Sequence, residues 1–214
     1  MWSRLLAGFL VASFLVAGVA PAASASFFHF EVSGTSQLVK GTAQGKHSID
    51  LAGGTLSCEQ LKLEGLSKGA STVESLEFTA VYGGCTMFGG KATVNMHGCR
   101  LQIWSNGRLV IAGGMMCTLE PMTIDVSVLG QECHVKIFET TANGALTFGN
   151  IGIGSKREMT MAVNGSGLFY SAEGSLCKET GSNKMNGAYT SGATLFTAEK
   201  SPELSGPMTG IWWE

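Results

Sequence analysis

The chain has 214 residues and a net charge of −2, from 14 Lys and Arg against 16 Asp and Glu. This near balance excludes the strongly basic surface of a nucleic-acid-binding protein and the basic cluster that an anionic membrane attracts. With 30 glycines and only 14% charged residues, the composition is typical of a β-rich chain with many tight turns.

Residues 1–25 have the pattern of a secretory signal peptide. Arg4 is positive, Leu5 to Ala20 is an unbroken apolar run, and Ala23-Ser24-Ala25 has the small-x-small spacing of a signal-peptidase site. The run is shorter than the roughly twenty residues of a membrane span. We therefore expect cleavage before Ser26 and no membrane segment afterwards. The expected location is extracellular, with the periplasm or cell envelope as alternatives.

The mature region is predicted to form β-structure almost throughout. Apolar and polar residues alternate over Leu76–Tyr82, so one face of that strand should be buried and the other exposed. Similar short runs predict strands at Phe27–Val32, Lys46–Leu51, Ala92–Met96, Thr123–Val128, Cys133–Phe138, Leu146–Ile151, Glu158–Val163, Leu168–Ser171 and Thr209–Trp213. After the signal, no glycine-free window of about a dozen residues has the spacing of an amphipathic helix.

We predict a single all-β domain over residues 26–214. Its expected architecture is an antiparallel β-sandwich or flattened barrel of roughly ten to fourteen strands, stapled by disulfides. No proline lies in the middle of a predicted strand, and Pro121 is the candidate boundary for an internal subdivision.

Four Asn-Gly dipeptides are predicted to form two-residue hairpin turns, because both residues tolerate the positive φ angles of a type I′ turn. They lie at residues 106–107, 143–144, 164–165 and 186–187. In the clearest hairpin, a turn at Asn106-Gly107 places Trp104 opposite Leu109. Continuing this register places Cys99 opposite a residue three positions before Cys117. A bulge at the intervening glycines would close this gap.

An even number of cysteines in an exported chain predicts three disulfides. Six cysteines allow many connectivities, and the sequence leaves them open. Our preferred set is Cys58–Cys85, Cys99–Cys117 and Cys133–Cys177. The alternative, a zinc site, lacks a CxxC pair, and the four histidines at positions 29, 47, 97 and 134 are scattered.

Two motifs that would carry chemistry lack their structural context. Gly65-Leu66-Ser67-Lys68-Gly69 matches the G-x-S-x-G nucleophile elbow, but strand-like residues flank it where a helix should follow. We interpret it as a turn. Gly149 to Lys156 resembles a phosphate loop with Ser155 on the wrong side of Lys156. We interpret it as a glycine-kinked strand or bulge.

Paired carboxylates for glycoside hydrolysis are the main enzymatic alternative. Glu74 and Glu77 are three residues apart, which places them on opposite faces of a strand. The only aspartates, Asp50 and Asp125, are far apart in the chain. The sequence therefore predicts no catalytic residue, no cofactor and no metal site.

Aromatic residues cluster at both ends of the mature chain, at Phe27-Phe28-His29-Phe30 and at Trp212-Trp213. We interpret both clusters as terminal strands that dock on the sheet. Because neighbouring strand residues face opposite sides, one of the two Trp rings is expected to be exposed. Trp212 and Trp213 are therefore the candidate binding surface.

Several short strings are distributed along the mature chain: Tyr82-Gly83-Gly84-Cys85-Thr86, Val94-Asn95-Met96-His97-Gly98-Cys99, Cys133-His134-Val135, Gly187-Ala188-Tyr189 and Gly210-Ile211-Trp212. Together with the signal peptide and the six cysteines, they resemble an uncharacterised family of exported β-rich proteins abundant in soil actinobacteria. The resemblance implies a secreted six-cysteine β-domain. It implies no activity, ligand or catalytic residue.

We therefore expect a secreted, disulfide-stabilised β-domain with a non-catalytic binding or structural role at or outside the cell envelope. A cell-envelope glycan or a secreted protein is the candidate partner. The alternative is a polysaccharide-active hydrolase on a β-sandwich. A third hypothesis is edge-to-edge assembly through unprotected strands.

Overall fold

The computed structural model describes residues 30–32, 37–67, 72–73, 75–105, 111–151, 158–200 and 211–213. Within these ranges the chain forms sixteen antiparallel strands, thirteen of them in one large sheet, and three disulfides. The prediction of an all-β, antiparallel, disulfide-bonded fold is confirmed. The described part of the chain holds no helix that could cross a membrane.

The strands follow one another along the chain as β1 Phe30–Val32, β2 Gln37–Ala43, β3 His47–Leu51, β4 Gly54–Ser67, β5 Thr72–Val73, β6 Ser75–Met87, β7 Gly90–Asn95, β8 Arg100–Ser105, β9 Ile111–Met116, β10 Met122–Val128, β11 Gln131–Ile137, β12 Thr140–Ile151, β13 Glu158–Glu173, β14 Gly181–Ser191, β15 Thr194–Lys200 and β16 Ile211–Trp213. Most predicted strands are present with shifted ends. The two runs predicted at Glu158–Val163 and Leu168–Ser171 belong to the single strand β13, and β2, β4, β5, β14 and β15 were not predicted.

The large sheet closes on itself twice. The first ring passes through β2, β4, β6, β8, β9, β12, β13 and β15, and the last of these pairs again with the first. The second ring passes through β3, β4, β6, β7, β10, β11, β13 and β14 in the same way. The pairing therefore follows the barrel alternative of the prediction. Every ring strand has a neighbour on both sides, so the described part of the chain offers few unpaired strand edges for edge-to-edge assembly.

Strands β4, β6 and β13 belong to both rings because of their length. A strand of fourteen residues such as β4 extends for about 45 Å at about 3.3 Å per residue, which is more than one apolar core needs. Each of the three strands changes its buried face once along its length. In β6, Leu76, Phe78 and Ala80 are buried, and beyond Gly84 the buried residues are Cys85 and Met87.

The face changes lie where an extra residue breaks the two-residue alternation, as in a β-bulge. Gly84 and Gly167, at the changes in β6 and β13, have φ angles of 62° and 84°, a conformation that glycine adopts without steric cost. In β4 the change occurs at the exposed pair Glu59-Gln60. The interior is thereby divided into two apolar clusters, one for each ring.

All three preferred disulfides are present. Cys58–Cys85 joins directly opposed residues of β4 and β6, with 4.0 Å between the Cα atoms. Cys99–Cys117 closes the β8–β9 hairpin, and Cys133–Cys177 ties β11 to the segment after β13. Because every cysteine sulfur is bonded to another, the zinc alternative is wrong.

The register predicted for the β8–β9 hairpin is wrong. Trp104 lies opposite Ala112 rather than Leu109, and Arg100 lies opposite Met116. This register continues directly to Cys99 and Cys117, so the disulfide needs no bulge. The predicted turn at Asn106-Gly107 lies outside the described residues.

The other three Asn-Gly dipeptides do not form turns, since they lie inside β12, β13 and β14. The two-residue turns between β3 and β4, β6 and β7, and β10 and β11 are instead Ala52-Gly53, Phe88-Gly89 and Leu129-Gly130, with positive φ at both residues. Only the glycine at the second position follows the expected turn chemistry. Pairing with neighbouring strands outweighs the local preference of the Asn-Gly sites for a turn.

Candidate functional site

An apolar cavity lies between the two clusters. Its volume is about 110 Å³, and residues of eleven strands from both rings line it. Leu63 and Phe78 belong to the first cluster, whereas Ile49 and Ile137 belong to the second. An eight-stranded barrel has an interior just wide enough to be filled by side chains or to hold one small ligand. The cavity is therefore a part of the interior shared by the two rings that side chains leave unfilled.

Two glycines help to leave this space open. Gly113 lies opposite the buried Ile103, and Gly165 lies opposite Tyr189, so both face the interior. A Cβ atom added at Gly113 would have its nearest neighbour, Leu146 Cδ1, at 3.6 Å, an ordinary contact distance. At Gly113 the absence of a side chain therefore leaves part of the cavity volume unfilled.

Among the residues that the structure describes, no Lys, Arg, Asp or Glu lines the cavity. Its polar side chains are hydroxyl-bearing residues, among them Tyr82 and Tyr189, because the amide of Gln102 lies on the outer face beside Glu77. Burial raises the pKa of Tyr82 to about 12 and that of Tyr189 well above its ordinary value, so both phenols stay neutral. An ion would lose its hydration here without gaining a counter-charge.

His47 lies next to Tyr189 and is not part of the cavity lining. It is 1% exposed, and its Nδ1 lies 2.7 Å from the hydroxyl of Tyr189. The Tyr189 hydroxyl is also within hydrogen-bonding reach of Tyr82. Burial lowers the pKa of His47, which keeps the imidazole neutral. Among the described residues, His47 Nε2 is the one buried side-chain nitrogen or oxygen without a hydrogen-bond partner.

A second polar cluster lies on the outer face of the second ring. His134 Nδ1 is 2.7 Å from Asp125 Oδ1, and its Nε2 is 3.3 Å from Glu132 Oε2. Hydrogen bonds to Asp125 first and Glu132 second raise the pKa of His134. With a carboxylate at each ring nitrogen, His134 has no free nitrogen to act as a general base. In the ranges that the structure describes, no three His, Cys, Asp or Glu side chains are grouped to hold a metal ion.

The residues singled out in the sequence fall elsewhere. Trp212 and Trp213 lie in β16, which pairs with β1 rather than joining the large sheet; β5 completes this small sheet, and β16 lies next to β12, β13 and β15 of the first ring. Their side chains lie outside the described residues. Gly65 to Ser67 belongs to β4, so the predicted turn is wrong there, and no helix of an elbow follows within the described ranges.

The candidate carboxylates are dispersed. Glu77 is exposed and pairs with Arg100, and Asp50 accepts a hydrogen bond from Thr55. Glu74 lies outside the described residues, as do positions 152–156 of the phosphate-loop motif. The first part of that motif, Gly149 to Ile151, is the end of β12, in accord with a strand.

Sequence reasoning placed Tyr82 on an inward face but gave His47 and Tyr189 no role. The latter two are 142 residues apart in the chain and meet only because β3 pairs with β14. No family model, curated protein or solved structure matches this chain. The resemblance to exported six-cysteine proteins therefore stays a prediction.

Proposed function

We propose that the protein is an exported, non-catalytic binding protein whose site is the cavity between its two apolar clusters. The cavity is the observation that carries the proposal. Protein interiors are close-packed, and voids larger than a water molecule are few. A void of about 110 Å³ costs about 2–3 kcal/mol of stability at about 24 cal/mol per Å³, and a bound molecule recovers part of this.

Export is supported by the covalent framework. Three disulfides without a free cysteine among the described residues suit an oxidising, extracellular compartment. The signal-peptide pattern of residues 1–25 points to the same compartment. The hydrolase alternative has less support, because Asp125 and Glu132 both engage His134 on the outer face.

Binding can be tested with toluene as the probe and methionine methyl groups as reporters. Met115, Met122 and Met161 line the cavity, whereas Met185 is 69% exposed and serves as an internal control. In ¹³C-methyl-methionine spectra of the oxidised protein, toluene should shift the three cavity signals in a saturable manner and leave Met185 unchanged.

A Gly113→Val variant fills the cavity from a position where a Cβ atom meets no close contact. It should fold and lose most of the toluene response. Toluene shifts that are absent from the native protein, or that persist unchanged in Gly113→Val, would contradict the proposed function.

A further inference from the structure

We infer that the cavity selects a small neutral hydroxyl compound, an alcohol or phenol of about five to seven non-hydrogen atoms, whose hydroxyl group meets Tyr82. The inference rests on the proposed function and adds the chemical class of the ligand. It is carried by the cavity together with the buried chain His47–Tyr189–Tyr82.

Size and charge follow from the cavity itself. A void of about 150 Å³ lined by aliphatic and aromatic side chains holds one benzene molecule, so about 110 Å³ suits a compound of similar or smaller size. No charged side chain within the described ranges lines the space, and a buried ion without a partner is strongly unfavourable. A carboxylate or an ammonium compound is therefore rejected.

The polar group follows from the hydrogen-bond chain. His47 Nδ1 and the Tyr189 hydroxyl are 2.7 Å apart, and Tyr189 reaches Tyr82, which packs against both apolar clusters and lines the cavity. In the described part of the chain, Tyr189 is the one side chain that hydrogen-bonds to the Tyr82 hydroxyl. The chain therefore ends in the cavity at Tyr82.

The tautomer of His47 determines whether the Tyr82 hydroxyl donates or accepts a hydrogen bond in the cavity. With the proton of neutral His47 on Nε2, Tyr189 donates to Nδ1 and Tyr82 donates to Tyr189, which leaves the Tyr82 oxygen as an acceptor. With the proton on Nδ1, both hydrogen bonds reverse, and the Tyr82 hydroxyl is left as a donor. A ligand hydroxyl both donates and accepts, so it completes either arrangement. A ketone or an ether completes only the second, and a hydrocarbon completes neither.

Phenol and toluene are matched probes, because they have the same shape and the same number of non-hydrogen atoms. We would titrate each into the oxidised protein and follow the methyl signals of Met115, Met122 and Met161. The native protein should bind both. Tyr82→Phe removes only the hydroxyl at the end of the chain and should weaken phenol about ten-fold, while the toluene affinity stays within about two-fold because no hydrogen bond is lost.

Tyr170→Phe is the matched control. The Tyr170 hydroxyl accepts from the backbone of Ala52 and donates to Asn186, and Tyr170 does not line the cavity. This variant should leave both affinities unchanged. Tyr189→Phe is the second variant and should also weaken phenol selectively, because it detaches Tyr82 from His47.

The outcomes separate the two claims. Toluene binding without phenol binding, or a phenol affinity that neither Tyr82→Phe nor Tyr189→Phe lowers, overturns the hydroxyl assignment and leaves the cavity as a binding site. Failure of toluene to shift the cavity methionines overturns the proposed function, whatever the result with phenol.

Discussion

Replacing Gly113 by alanine should stabilise the protein, because the new methyl group enters the cavity without a clash. The nearest atom to the added Cβ is Leu146 Cδ1 at 3.6 Å, and the φ angle of Gly113 is outside the left-handed region. Burying one methyl group contributes about 0.8 kcal/mol. The lower entropy of the unfolded chain contributes about 0.4–1 kcal/mol, so the expected gain is about 1–2 kcal/mol.

The neighbouring Gly114 is the control, because it lies on the opposite face of β9. A Cβ atom there would be 2.8 Å from the backbone oxygen of Thr140 and 3.0 Å from the Trp104 ring. Gly114→Ala should therefore destabilise by about 1–3 kcal/mol. Urea unfolding of the oxidised protein measures both changes, and the Gly113→Ala gain should raise the melting temperature by about 2–8 °C. A Gly113→Ala variant that loses stability would refute the open wall at this position.

Three further predictions concern other parts of the molecule. The hydrogen bonds of His134 to Asp125 and Glu132 raise its pKa above the unfolded value, so their contribution is fully present below about pH 6.5 and is lost as the pH rises through the folded pKa. Urea unfolding at several pH values should therefore show a larger stability difference between the native protein and His134→Gln at low pH than at high pH. The opposite trend would show that these hydrogen bonds do not form. Replacing Cys133 and Cys177 by alanine should cost about 4 kcal/mol and replacing Cys99 and Cys117 about 3 kcal/mol, because the closed loops span 44 and 18 residues; chemical denaturation that ranks the two losses in reverse would argue against loop closure as the cause. Mass spectrometry of the exported protein should find Ser26 at its N-terminus, and an intact leader would refute cleavage.

Local patterns in the sequence predict the parts of the fold that depend on near neighbours. The alternation over Leu76–Tyr82 identifies the buried face of β6, because side chains of a strand alternate strictly between its faces. The pairing of Cys99 with Cys117 was predicted correctly from a wrong register, since five residues rather than two separate the end of β8 from the start of β9. The hairpin could be predicted because its two strands are neighbours in the chain.

The closure into two rings depends on contacts that no local pattern contains. In β13 the buried residues change face at Gly167, and in the sequence this change looks like the end of one strand and the start of another. For the same reason Glu158–Val163 and Leu168–Ser171 were predicted as separate strands. The candidate site could not be predicted from local patterns either, because His47 and Tyr189 meet only through the pairing of β3 with β14.

A crystal of the oxidised protein equilibrated with xenon gas tests the central claim most directly, because xenon enters dry apolar cavities without needing a hydrogen bond. We predict one strong xenon site between the two clusters, in contact with Leu63, Leu146 and Met161. Side chains that fill this space, with xenon bound only at the surface or not at all, would contradict the proposed binding cavity.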